Sequence, residues 1–301
     1  MMATETTEHN GVLSRVRRFL HRPFHEQSRS FYTRWVRIFP NVPVPVRLPF
    51  GAWFVARNDG LGSTLTHDGF EPTERCFVAR FLRRGMIVLD IGAHHGFYTL
   101  LASKLVGPVG KVFAFEPSPR EQKALRLNLI LNRCRNVSVQ ALALSDAEGC
   151  ADFYVVNDKH TGFNSLRPPG ISSPTTQVKV SVKQLDDWVR EAKIGRVDFI
   201  KLDVEGGELA VLKGGVQFLE RRPRPLILAE LEDARCEPWG LRAKDTANLL
   251  YSHGFEWFTL SQDGVLEKMP ENSDRYEGNF VAVPHERVGE ISELTQNGPR
   301  S

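Results

Sequence analysis

Apolar and polar positions along this chain follow two alternating rhythms. Met86-Ile-Val-Leu runs into Asp90, and a glycine-punctuated turn through Gly92 and Gly96 leads to a periodic apolar segment starting near Phe97. A short apolar run, a turn and a longer segment of helical period predict strand, loop, helix. The rhythm then repeats. Strands are expected at 111–115, 137–142, 197–202, 226–231, 255–260 and 280–283, with helices at about 120–132, 185–192, 208–218 and 244–253 between them. Strands alternating with helices imply a doubly wound α/β fold: a mostly parallel, seven-stranded, Rossmann-like sheet with helices on both faces and an antiparallel final pair. Alternating stretches at 150–156 and 177–182, joined by a Pro/Gly/Ser-rich loop, predict an inserted β-hairpin.

Ahead of the first strand, the segment 72–82 reads as a helix capped near Thr73 and stopped at Gly85. Asp59-Gly60 and Gly62-Ser-Thr64 read as loop, and the prolines between Pro40 and Pro49 as extended edge segments. From Arg15 to Arg47 eight arginines stand against a single acid, Glu26, with aromatic residues interleaved. Two readings fit: a helical arm packed on the main domain with a solvated basic face, or a helix making weak contact with a membrane surface or another anionic partner. The expected division is a basic N-terminal extension over 1–60, polar and partly disordered at its start, one domain over 61–284 and a flexible tail over 285–301.

Composition adds bounds. A chain of 301 residues with 41% hydrophobic residues can bury a sizeable core, and a net charge of +3 is too small to argue for nucleic acid. Cys76, Cys134, Cys150 and Cys236 form no C-x-x-C pair, which points to reduced thiols and a cytoplasmic location. No apolar run is long enough to span a bilayer, and no secretory signal is evident.

In an open α/β sheet, ligands bind beyond the carboxyl ends of the strands. Those ends carry Asp90, Glu116, Ser145 with Asp146, Asp203 with Glu205, and Glu230. The first turn is G-x-x-x-G, not the G-x-G-x-x-G of dinucleotide sites. Gly92, Ala93 and Gly96 let a ligand approach the backbone, the helix start favours a carboxylate, and Asp90 welcomes a cation. A ligand combining amine, carboxylate and sulfonium, S-adenosylmethionine, meets those terms. Glu116 is placed to grip both ribose hydroxyls. Asp146, with Ser145, either accepts from the adenine amino group or merely shapes a turn.

The stretches Val88-Leu-Asp-Ile-Gly-Ala-His-His-Gly96, Phe115-Glu-Pro117, Ile200-Lys-Leu-Asp-Val-Glu-Gly-Gly-Glu208 with Leu212-Lys-Gly214, Leu228-Ala-Glu230 and Asn279-Phe-Val-Ala-Val283 resemble the FkbM-type family of class I S-adenosylmethionine-dependent methyltransferases. The likeness covers roughly 71–283; residues 1–60 lie outside it. It implies that Gly92 and Gly96 shape the methionine-binding turn, Glu116 holds the ribose and Asp203 lies beside the sulfonium. His94 departs from the asparagine frequent there.

Methyl transfer to a hydroxyl needs alignment and a proton acceptor. Asp203, Glu205 and His94 are the catalytic candidates. Asp203, Glu205 and Glu230 together could instead hold a divalent metal, but three acids alone do not identify one, so no metal is expected. His94 and His95 cannot both aim at one atom, so one is structural. The loop Thr161–Leu166 resembles the family's loop between hairpin strands and covers the site, making Asn164 and Ser165, with Glu230, the candidate acceptor contacts. The expected activity is O-methylation of a sugar, glycolipid or secondary metabolite, with no nucleic-acid partner. N-methylation or protein methylation, and a non-catalytic nucleoside-binding module, are the alternatives.

Overall fold

The computed structural model describes residues 24–295 apart from 68, 262, 271 and 272. The disorder expected at the start of the chain, the arginines Arg15, Arg17, Arg18 and Arg22, and the end of the tail lie outside the described residues.

The chain opens with helix α1 (Phe24–Ile38) and a hairpin of β1 (Val44–Arg47) and β2 (Trp53–Ala56). Then come α2 (Gly60–His67), α3 (Pro72–Phe81), β3 (Ile87–Ile91), α4 (Phe97–Val106), β4 (Lys111–Phe115), α5 (Pro119–Leu131) and β5 (Val137–Gln140). A three-stranded insert holds β6 (Ala143–Leu144), β7 (Gly149–Val156) and β8 (Thr175–Lys183). After α6 (Leu185–Glu191) follow β9 (Phe199–Leu202), α7 (Glu208–Lys213), α8 (Val216–Glu220), β10 (Leu226–Glu232), α9 (Asp233–Cys236), α10 (Ala243–Ser252), β11 (Phe255–Leu260), β12 (Leu266–Lys268) and β13 (Glu277–Pro284).

The main sheet runs β12-β11-β13-β10-β9-β3-β4-β5. The five strands from β10 to β5 are parallel; β13, β11 and β12 are joined by antiparallel pairing, so β13 and β12 run against the rest and β11 runs with them. The doubly wound fold is therefore the expected one, with short β12 as an eighth strand at the edge. Both faces are covered, which is why the central strands read as unbroken apolar runs. Alternation splits their side chains between two cores. Val88, Val112 and Leu228 face one way, with Leu100 of α4 and Phe77 of α3. Leu89, Phe113 and Ile227 face the other, with Trp188 of α6 and Leu250 of α10. Strand order reverses between β3 and β9, so a crevice opens beyond their carboxyl ends.

Residues before 61 are part of this packing. Tyr32, Val44 and Phe54 are buried in the same core as Leu100 and Leu125. The edge of β2 bonds to α5 side chains: Asn132 Oδ1 accepts from Trp53 N–H at 2.8 Å, and Asn128 Oδ1 from Val55 N–H at 2.8 Å.

Several local expectations need correction. The stretch at Gly60–Thr64 is helix, because the Asp59 carboxylate accepts from Gly62 N–H at 2.7 Å and caps it. Helix α3 starts at Pro72; Glu71 precedes it in a left-handed conformation, and Thr73 is not its cap. The chain is already extended at Leu82, before Gly85. The third strand stops at Gln140, and Ala143–Leu144 leaves the main sheet to pair with β8. The helix after β9 breaks into α7 and α8, where a Cβ on Gly214 would stand 2.0 Å from the Ser145 carbonyl oxygen. Residues 285–294 form a 3-10 helix that buries Arg287, Ile291 and Leu294, so this part of the expected tail is packed.

Candidate functional site

Two cavities meet at the crevice. A narrow slot of ≈ 60 Å³ runs between Phe115-Glu116-Pro117 and the stretch Leu142–Leu144. A wider cavity of ≈ 260 Å³ is walled by Phe70, Glu71, Tyr98, Phe163, Lys201 and Glu230. Gly92, His94, Gly162, Asp203 and Glu205 border both.

Glu116 commands the slot. It is buried, with Oε2 accepting from His94 N–H at 2.8 Å and Oε1 from Ser118 N–H at 2.7 Å. Each oxygen keeps a lone pair for a further donor. Burial pushes its carboxyl up to about 8, against the pull of those N–H groups. A pair of adjacent hydroxyls answers this arrangement, and the apolar walls Phe115, Leu142 and Leu144 accept a flat ring beside it. Ser145 and Asp146 do not border the slot. The turn of β6 toward β8 presents Leu142–Leu144 to it and carries Ser145 into the interior and Asp146 to the surface, with Ser145 Oγ 3.2 Å from Asp146 Oδ1.

Asp90 lies on the face of β3 turned to α4, where the Thr99 hydroxyl donates to it, and it borders the wide cavity with Ala93. Burial pushes Asp90 up to about 6. Gly92 and Gly96 both have φ +90°. The chain itself requires them: a Cβ on Gly92 would lie 1.7 Å from the Asp203 carbonyl oxygen, and one on Gly96 would lie 2.4 Å from Leu125 Cδ1. Gly96 borders neither cavity. Gly92→Ala is therefore expected to cost more than about 3 kcal/mol, adding a backbone clash to left-handed strain. Thermal denaturation would read this as a large fall in Tm or a loss of soluble protein, and an unchanged Tm would contradict it.

His95 is fixed, with Nε2 2.8 Å from Glu121 Oε2 and Nδ1 3.8 Å from Asp59 Oδ2. His94 stacks on it at 3.9 Å between centroids, while its buried Nε2 has no hydrogen-bond partner. Burial, reinforced by His95, lowers His94 to about 3. The His94 ring is neutral at pH 7.

At the junction, Lys201 and Asp203 share one face of β9 and its extension. Lys201 Nζ lies 3.2 Å from Asp203 Oδ2 and 3.1 Å from Asn279 Oδ1. Burial penalises both charges. The Lys201 ammonium and a hydrogen bond from Glu230 outweigh that penalty and hold the Asp203 carboxyl below its ordinary value. The Asp203 charge, followed by burial, pushes Glu230 well up, so Asp203 is the ionised partner and Glu230 the protonated one. Ligand atoms of Asp203, Glu205 and Glu230 lie within 4.8 Å of one another.

Glu205 reaches the crevice because Glu205 (φ 56°) and Gly206 (φ 92°) turn the chain sharply. Its Oε2 pairs with Arg235 Nε at 2.9 Å, and the Arg235 guanidinium lies 3.8 Å over the Phe163 ring. The Ser165 hydroxyl donates to the Glu205 carbonyl at 3.1 Å, and Ser165 borders neither of the two cavities. Asn164 borders the slot, not the wide cavity; its side chain holds Val156 N–H and Glu121. The helix start after β9 is served by Glu208, which accepts from Val204 N–H at 2.9 Å, and not by Glu205. Reasoning from sequence missed Glu71, Tyr98 and Lys201. Only Lys201 leaves a sequence signal, a lone cation inside the apolar strand Phe199–Leu202.

Known proteins resemble this chain in sequence. The family model described as the methyltransferase FkbM domain matches residues 90–257. The 31-O-demethyl-FK506 methyltransferase FkbM of Streptomyces tacrolimicus is 31% identical over 238 residues, 70% of this chain and 88% of its own. The 2-O-methyltransferase NoeI of Sinorhizobium fredii is 32% identical over 148 residues, 45% of this chain and 59% of its own. The crystal structure of methyltransferase FkbM from Methylobacillus flagellatus aligns at 17% identity and a TM-score of 0.42, over 76% of this chain and 56% of its own. With the doubly wound sheet, the buried acid Glu116 at the end of β4 and a matched domain spanning more than half its length, the chain belongs to the FkbM family of S-adenosylmethionine-dependent methyltransferases.

Proposed function

We propose that this enzyme methylates a hydroxyl group on a sugar or a similarly polyhydroxylated metabolite. The observation that carries the reading is the meeting of the slot and the wide cavity at Gly92, His94, Gly162, Asp203 and Glu205. A donor in the slot and an acceptor in the cavity touch only there.

The residues fit the cofactor. Glu116 would hold the ribose hydroxyls, Leu142–Leu144 the adenine, and Asp90 and Ala93 the methionine end. S-adenosylmethionine supplies an electrophilic methyl group when bound. The chain does the rest. Phe70, Tyr98 and Phe163 offer ring faces to sugar C–H groups, while Glu71, Glu205 and Glu230 offer oxygens to its hydroxyls. Asp203 Oδ accepts the hydrogen bond of the reacting hydroxyl and takes its proton as the new C–O bond forms. A hydroxyl under alkylation becomes strongly acidic, so a carboxylate of low basicity suffices. His94 Nε2, neutral and unpartnered, orients that hydroxyl. The loop bearing Phe163 excludes water, pinned by Arg235 and Glu205.

The O-methyltransferase names of two relatives favour a hydroxyl over a nitrogen. Lys201 places a positive charge against Asp203 where a divalent cation would otherwise sit, which favours the proton-acceptor role over a metal site. Incubation with methyl-labelled cofactor and a panel of sugars, glycolipids and amines tests both points. Label is expected in an ether of a polyol acceptor, at a rate that EDTA leaves unchanged. Label only in amines would overturn the hydroxyl reading, and an EDTA loss restored by magnesium would replace the base with a metal.

A further inference from the structure

We infer that α1 and the β1–β2 hairpin form a docking surface for an anionic lipid membrane. Phe31 and Trp35 of α1 and Phe39 just past its end recur every fourth residue and form a row, with ring centroids 5.7 Å and 5.1 Å apart. Trp35 Nε1 donates to the Val42 carbonyl at 2.8 Å and draws Val42 to the end of that row. Tyr32 beside the row is buried and Trp35 packs partly on the same core, while Phe31 and Phe39 at its two ends stay exposed. Phe31 is 50% exposed, Ile38 66% and Val42 48%. On the hairpin, Trp53 stands 45% exposed directly across from Arg47.

Charge decides between a lipid surface and a protein partner. From residue 27 to 58 the chain holds Arg29, Arg34, Arg37, Arg47 and Arg57 and no acid at all. Arg34 precedes Ile38 by one helical turn on the flank of the aromatic row, and Arg34, Arg37 and Arg47 are exposed. Aromatic and aliphatic side chains bordered by arginines match a headgroup boundary, where rings enter the interface and guanidinium groups meet phosphate. A nucleic-acid surface would not reward exposed Ile38 and Val42. The arm also sits one helix from the acceptor: Tyr32 Oη donates to the Arg57 carbonyl at 2.6 Å and backs α2, whose Leu61 and Thr64 border the wide cavity. Docking through α1 brings that cavity within about 10 Å, one helix diameter, of the supporting element.

Sedimentation of the full chain with lipid vesicles tests this without an acceptor, so its failure is separate from failure of the methyl-transfer reading. The chain is expected to sediment with vesicles of phosphatidylcholine mixed with phosphatidylglycerol, not with phosphatidylcholine alone, and less so as salt rises. Combining Arg34→Glu, Arg37→Glu and Arg47→Glu should lower partitioning by about 100-fold or more while S-adenosylhomocysteine binding is kept. Ile38→Ser with Phe39→Ser should lower it by about tenfold and reduce the blue shift of tryptophan emission on lipid. Absence of binding to the anionic vesicles, equal binding to both kinds, or binding that neither set of substitutions changes would each overturn the proposal.

Discussion

Replacing Glu116 by glutamine weakens binding of S-adenosylhomocysteine by on the order of 100-fold. In the proposed complex the wild-type carboxylate offers an oxygen to each of two adjacent hydroxyls, and a hydrogen bond to a charged group contributes about 1.5–3 kcal/mol. Glutamine keeps one neutral acceptor and turns its amide toward His94 or Ser118 N–H, donors that need an acceptor. A loss of about 3 kcal/mol follows, which is roughly two decades in Kd. Isothermal titration calorimetry reads it, and a Kd equal to the unaltered enzyme's would remove Glu116 from the ribose. The pH dependence carries its own sign. Glu116 titrates near its ordinary 4.5 in the unfolded chain and at about 8 when folded without ligand. Between those values the folded state holds the extra proton, so this group's stabilisation is present below pH 4.5 and is lost as pH rises toward 8. Hydroxyl donors favour the ionised form, so ligand affinity should rise with pH up to about 8 in the wild type and stay level in Glu116→Gln.

Replacing Asp203 by asparagine leaves the cofactor bound and removes turnover. Asparagine has the same shape but cannot take a proton, and losing a positioned acid–base group costs about 10²–10⁴-fold in rate. The change should appear in kcat, with the Kd for S-adenosylhomocysteine moving by less than about tenfold. Glu230 then loses the charge that pushes its pKa up, so its hydroxyl ionises at lower pH and the residual rate acquires a new pH profile. Single-turnover assays over a pH series would show this. An Asp203→Asn enzyme of normal rate would place proton removal elsewhere, with His94, whose Nε2 has no hydrogen-bond partner, as the next candidate.

What the sequence revealed and concealed divides along physical lines. Buried parallel strands must be apolar on both faces, so β3, β4, β9 and β10 were legible, and the acids at their ends followed from topology. Features made by distant partners were not. The Glu71–Tyr98 hydrogen bond and the proximity of Lys201 to the Tyr98 ring join three separate elements, and no local pattern encodes them. The stretch at Gly60–Thr64 reads as loop because its glycines and hydroxyl residues are poor helix formers, yet the Asp59 cap and the packing of Tyr32 override them. Asp203 and Glu205 had similar standing in the sequence. The structure separates them, giving Asp203 a buried ammonium and Glu205 an ion pair with Arg235. Ser165 and Asp146 have the chemistry of contact residues but are turned away, by a bridge to Tyr154 in one case and the early exit of β6 in the other.

The close approach of Gly92 to the Asp203 carbonyl has a wider consequence. It sets the turn after β3 against the proposed proton acceptor through main chain alone, with no side chain as spacer. Leu61, Phe70, His160 and Phe163, by contrast, come from segments outside the parallel strands. If the wide cavity takes the acceptor as proposed, exchanging those wall residues should retune which compound enters while the alignment set by main chain is kept, so selectivity and rate should be separately adjustable in this scaffold.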